Sequence, residues 1–73
     1  MPRLPRLSGR EVRRAFERAG WTHARTTGDH MILTMAGKRS LVVPDYDDLP
    51  PFILRGLIRT AGLSVDAFID RLR

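Results

Sequence analysis

The stretch Arg25-Thr26-Thr27-Gly28-Asp29-His30 runs directly into the apolar Met31-Ile32-Leu33. It sets a glycine turn, a carboxylate and an imidazole at the mouth of an expected strand. Imidazole titrates near neutral pH, so the ring can take up or give a proton under ordinary conditions. His30 is therefore the candidate general acid/base. Gly28 and Asp29 support its turn, and Arg25 is a cation able to fork onto an anionic group. A lone histidine at a strand start is more commonly structural, so the surrounding elements must make the case. His23 has no such frame and reads as an ordinary strand residue.

Several chemistries are excluded by composition. The 73 residues make one small domain, contain no cysteine, and have only two histidines, His23 and His30. Disulfides, thiolate metal sites and a histidine-built metal cage are thereby ruled out, and no metal is expected. The apolar fraction of 42% is too high for a disordered chain. A domain of this size is marginally stable alone, so a compact fold helped by a partner fits best. Thirteen Lys and Arg against eight Asp and Glu give a net charge of +5, and every cation but Lys38 is arginine. With a pI near 11.3, this balance points to nucleic acid or to an acidic protein partner. No apolar run is long enough to span a membrane, and no apolar segment follows Arg3 and Arg6 as a signal peptide requires. The expectation is a cytoplasmic protein.

The elements that must position His30 follow from periodicity. Residues 1–7 hold two prolines and read as an extended arm, leaving 8–73 as a single domain. Ser8 and Glu11 have the spacing of a capping box, and Val12, Ala15, Phe16 and Ala19 recur at helical spacing, so a helix is expected over Gly9 to Ala19. Gly20 suits its left-handed cap. At 100° per residue, Arg10, Arg13, Arg14 and Arg18 fall opposite the apolar stripe. Three roles are open to them: solvated surface, RNA backbone contact, or contact with an acidic partner.

Trp21 to Thr26, His30 to Met35 and Arg39 to Val43 read as three strands of an antiparallel meander. Met31, Leu33 and Met35 face the core, while His30, Ile32 and Thr34 face the other way. Asp45 to Asp48 make an acidic loop. Pro50 and Pro51 suit a helix start, Ile53, Leu54, Leu57, Ile58 and Ala61 form its apolar face, and Gly62 ends it. Arg55 and Arg59 point away from that face, with Phe52 on their side. Ser64 caps a last short helix, stapled by Leu63 and Phe68, which returns Phe68, Ile69 and Leu72 to the core. The fold class is α+β in the order α-β-β-β-α, with a three-stranded antiparallel sheet on helices. Such a layer with a basic surface resembles a double-stranded-RNA-binding domain.

The ordered set Ser8-Gly9-Arg10-Glu11-Val12, Ala19-Gly20-Trp21, Arg25-x-x-Gly28-Asp29-His30, Val42-Val43-Pro44 and Leu49 through Ser64 resembles the HicA toxin family, from Leu7 to Leu72. The resemblance implies a toxin of a toxin–antitoxin system: a small ribonuclease that cuts mRNA, needs no cofactor, and is blocked by a HicB-like antitoxin. The family's Gly-Ser-His histidine falls on His30. RNA carries its own nucleophile, the ribose 2′-hydroxyl, so the enzyme must move protons and stabilise phosphate charge. His30 takes the first task. Arg25, with Lys38 or Arg39, takes the second, and Arg10, Arg14, Arg55 and Arg59 are further RNA-binding candidates. The chain departs from the family pattern at three places. Asp29 replaces serine and sets a carboxylate beside the ring, where it attracts imidazolium and repels phosphate. Asp45 stands where a histidine is frequent. Phe52 stands where a small residue is usual and is placed to meet a base or the antitoxin. The other readings are an RNA-binding module without catalysis, and a pure protein-interaction domain.

Overall fold

The computed structural model describes residues 3–72; Met1 and Pro2 of the expected arm lie outside the described residues. The element order is α1 (Gly9–Arg18), β1 (Thr22–Thr27), β2 (His30–Thr34), β3 (Leu41–Pro44), α2 (Pro51–Ala61) and α3 (Val65–Asp70). This is the α-β-β-β-α arrangement expected from the sequence, including the short last helix capped by Ser64.

Each helix begins where its cap predicts. Glu11 N–H donates to Ser8 Oγ (3.1 Å) and Ser8 N–H donates to Glu11 Oε1 (2.9 Å), completing the capping box of α1. The two Ser8 hydrogen bonds, the backbone one foremost, hold the Glu11 carboxyl below its ordinary range. Pro51 opens α2, where a missing N–H costs nothing, and Gly62 closes it at φ 78°. Ser64 Oγ accepts from Ala67 N–H (3.0 Å) to start α3.

The sheet runs β1-β2-β3, all antiparallel. One face carries Met31, Leu33, Leu41 and Val43 onto Val12, Ala15 and Phe16 of α1 and Leu54, Leu57 and Ile58 of α2. Phe16 is fully buried at the centre, edge-on to Trp21 (centroids 6.4 Å) and tilted against Phe68 (5.2 Å). Those aromatic contacts lock α3 and the start of β1 onto α1. Leu7 joins this core and its carbonyl accepts from Leu49 N–H (2.8 Å), so the segment before α1 is tied to the β3–α2 loop. Ile69 differs from expectation. It is half-buried and outside the core cluster, because α3 spans only six residues and turns one face inward through Phe68.

The third strand also differs. It begins at Leu41 rather than Arg39 and includes Pro44. Lys38 N–H closes a turn onto Met35 O (3.1 Å), which holds the segment before Leu41 in a loop. Pro44 is tolerated because β3 is an edge strand and Pro44 occupies a position whose missing N–H would point away from β2. Among the described residues, no helix is long and apolar enough to cross a membrane.

Candidate active site on the open face of the sheet

His30 is the first residue of β2 and pairs with Thr27 across a two-residue hairpin. Gly28 has φ 60° while Asp29 does not enter positive φ, the pattern of a type II′ turn, which fits the right-handed twist of a hairpin. This turn sets Asp29 beside the ring: His30 Nδ1 lies 3.3 Å from Asp29 Oδ1. On its other side His30 pairs with Pro44 of β3, and Asp45 N–H donates to Asp29 O (2.7 Å). The imidazole is thus held at one end of the sheet by both neighbouring strands, with 52% of its side chain open to solvent.

Arg25 shares that face. Its cross-strand partner is Ile32, so Arg25 and His30 are diagonal neighbours on the side turned away from the helices. A register shift between His23 and Arg25 makes this possible while sending His23 to the opposite side. Such a bulge inserts one extra residue, here Ala24, and reverses which face the following side chains take. His23 consequently meets α1. Arg13 Nη1 lies 3.1 Å from His23 Nδ1, and His23 Nε2 lies 2.8 Å from Thr26 Oγ1. A guanidinium can only donate, so His23 Nδ1 accepts from it and the ring serves to dock β1 on α1. Arg13 Nε is buried without a hydrogen-bond partner among the described residues, with Glu17 Oε1 4.0 Å away.

The remaining candidates are spread around the molecule. Lys38 and Arg39 lie in the β2–β3 loop, at the far end of β2 from His30, about 13 Å off by strand rise alone. The expectation that they flank the same phosphate as His30 is therefore corrected: they can reach only more distant parts of a chain crossing the sheet. Arg55 and Arg59 project from the side of α2 turned away from the core, near the α2–α3 junction. Phe52 is 75% exposed on that same side. Arg14 is exposed on α1, in a shallow hollow with Glu11, Arg18 and Leu72.

Arg10 stands at the His30 end, but its guanidinium is engaged. Nη1 donates to Asp45 (2.7 Å) and Nη2 to Asp47 (3.1 Å). Arg6 makes a two-pronged pair with Asp48, and that hydrogen bonding lowers the Asp48 carboxyl below its ordinary range. The three aspartates of the acidic loop are thus partly offset by two arginines, Arg6 from the segment before α1 and Arg10 from α1 itself. Arg10 is therefore not a free cation, while Asp47 stays almost fully exposed. Sequence reading missed these pairs because their partners lie 35 to 42 residues apart. The one available signal was the run of aspartates following a basic N-terminus. Among the described residues, no three His, Cys, Asp or Glu side chains converge as a metal cage requires.

A second close approach supports the site from below. A Cβ on Gly9 would stand 1.9 Å from the Pro44 carbonyl oxygen, and Gly9 N–H donates to Tyr46 O (2.8 Å). The start of α1 therefore rests on the very backbone that pairs with His30. Neither a curated protein nor a solved structure matches the chain significantly. The family model described as "HicA toxin of bacterial toxin-antitoxin" matches residues 9–63, which takes in α1, the whole sheet with His30, and α2. On that match, which spans most of the 73 residues, the chain belongs to the HicA toxin family of toxin–antitoxin systems.

Proposed function

We propose that this toxin is a metal-independent endoribonuclease that cuts mRNA in the cytoplasm, with His30 as its general acid/base. The observation that carries the reading is the placement of a half-exposed imidazole on the open sheet face, with Arg25 on the same face and Asp29 at Nδ1. Asp29 Oδ1 stands 3.3 Å from Nδ1; that carboxylate favours the tautomer with its proton on Nδ1 and leaves Nε2 as the acceptor. Nε2 removes the proton of a ribose 2′-hydroxyl, whose oxygen attacks the adjacent phosphorus. The P–O5′ bond breaks and the imidazolium returns its proton to the departing O5′. The products are a 2′,3′-cyclic phosphate and a 5′-hydroxyl. Arg25 offsets the charge gathering on the phosphate oxygens. Asp29 acts by orienting the ring, in place of the family's serine. A HicB-like antitoxin is the cognate inhibitor.

Incubating the purified protein with RNA tests this directly. His30→Ala should retain RNA binding and lose cleavage by at least a hundredfold, the ordinary worth of acid/base catalysis. Cleavage at the wild-type rate by His30→Ala removes the assignment. The alternative of RNA binding without cutting draws on Asp29, a carboxylate that repels phosphate at the same place. It predicts uncut RNA and strongly salt-dependent binding by the wild-type protein.

A further inference from the structure

The β3 strand is an edge, and its ladder has a definite phase. Because Asp45 N–H donates to Asp29 O, positions 45, 43 and 41 face β2, and the N–H and C=O of Val42 face outward. The Val42 side chain is 46% exposed. Beside this edge lies a groove of about 380 Å³ between β3 and α2, bounded by Arg39, Val42, Ile53, Gly56 and Thr60. Gly56 is the unexpected member. It sits in the interior of α2, where glycine is disfavoured relative to alanine. A Cβ built there meets nothing within 4 Å, so no contact within the chain requires glycine. Its effect is to keep the groove wall low.

We propose that this groove takes an extended, acidic strand of the antitoxin, which adds to the sheet beside β3 and lays a side chain over Gly56. The inference rests on reading the chain as a toxin with a cognate antitoxin. An open strand edge next to an apolar trough suits strand addition, since main-chain bonds give affinity and the trough accepts alternate side chains. Charge selects the occupant. Arg39 bounds the groove, and Lys38 Nζ lies close to Gly62 at the C-terminal end of α2, so the cations gather at one end. A second copy of this chain carries +5 and is repelled by them. An RNA strand would find these cations at one end only, beside a mostly apolar wall that offers nothing to its remaining phosphates, whereas a peptide with an acidic end meets both the ladder groups and the charge. An acidic strand seated there also neutralises cations that RNA would use.

The test uses the purified full chain and its cognate antitoxin. Gly56→Leu should weaken antitoxin binding at least tenfold without lowering the melting temperature of the free toxin. In the wild-type complex, the Val42 amide should become protected from hydrogen exchange, a readout that needs no variant to fold. Unprotected Val42 in the complex overturns the proposal, as does unchanged affinity of Gly56→Leu. So does a variant that loses RNA affinity while keeping the antitoxin, which gives the groove to RNA, or a wild-type dimer that Gly56→Leu dissociates. Cleavage is scored separately: a wild-type toxin that binds the antitoxin through Val42 but never cuts RNA retires the nuclease reading alone.

Discussion

Replacing Gly9 by alanine should destabilise the toxin, although helix propensity argues the opposite. Gly9 is the first residue of α1, and alanine is favoured over glycine in helices by up to about 1 kcal/mol. The added Cβ, however, would stand 1.9 Å from Pro44 O, 3.0 Å from Pro44 C and 3.1 Å from Asp45 Cα. Cβ contacts below 3.0 Å essentially never occur, so α1 and the end of β3 must separate by roughly 1 Å. All three obstacles are backbone atoms and cannot rotate away. The separation breaks Gly9 N–H to Tyr46 O, now 2.8 Å, at a loss of about 1 kcal/mol. Overpacking strain adds about 1–3 kcal/mol. Set against the propensity gain, the net is a loss of about 1–3 kcal/mol. For a domain of this size, each of these lowers the melting temperature by about 4–8 °C. Thermal denaturation followed by circular dichroism measures it, with Gly56→Ala as the control. That substitution also lies in a helix but meets open space, so it should gain about 0.5–1 kcal/mol. If Gly9→Ala melts at or above the wild-type temperature, the close approach of α1 to Pro44 is wrong. The support beneath His30 falls with it.

Two further outcomes follow from the same contacts. The depressed Glu11 and Asp48 carboxyls contribute stability that is fully present above their ordinary values near pH 4. It is lost as pH falls through their lower folded values, so acid unfolding below pH 4 should flatten in Glu11→Gln and Asp48→Asn; acid sensitivity equal to the wild type in both variants would refute the linkage. At the site, Asp29→Ser removes a carboxylate 3.3 Å from His30. RNA affinity should rise, and the cleavage rate at saturating RNA reports what Asp29 contributes to ring orientation; an unchanged affinity would show that the carboxylate is not facing the phosphate.

The fold was legible because each local signal agrees with its neighbour. Ser8-x-x-Glu11, Pro50-Pro51, Gly62 and Ser64-x-x-Ala67 mark helix ends by hydrogen bonds that span no more than five residues, and each is found in place. The face of β2 follows from simple alternation, which puts Met31 and Leu33 inside and His30 outside. The bulge at Ala24 was not legible. Nothing in Thr22-His23-Ala24-Arg25 breaks strand propensity as glycine or proline would, and the bulge turns His23 toward Arg13 on α1, a contact ten residues away in sequence. The limits of β3 were misjudged for a related reason. A proline reads as a terminator, yet on an edge whose outward positions need no partner it can be a member.

Charge was legible as a total and not as a distribution, and that difference makes a measurable claim about RNA. The arginines of α1 look from sequence like a basic stripe, but Arg10 is spent on Asp45 and Asp47, and Arg13 is half-buried against His23. Arg25 lies on the open face of the sheet and Lys38 and Arg39 lie in the β2–β3 loop at its far end, whereas Arg55 and Arg59 project from α2 in a body only 34 × 27 × 20 Å. A short single strand lying across the sheet cannot touch both sides. Single-stranded RNA releases counterions such that log K falls with log salt at about −0.7 per neutralised phosphate. Three contacts give a slope near −2; engaging Arg10, Arg14, Arg55 and Arg59 as well would bring it near −5. Titrating a short oligonucleotide at several salt concentrations with the His30→Ala protein separates the two. A slope near −5, or a slope reduced by Arg55→Ala as much as by Arg25→Ala, would move the RNA from the sheet to the helices and leave His30 without a substrate.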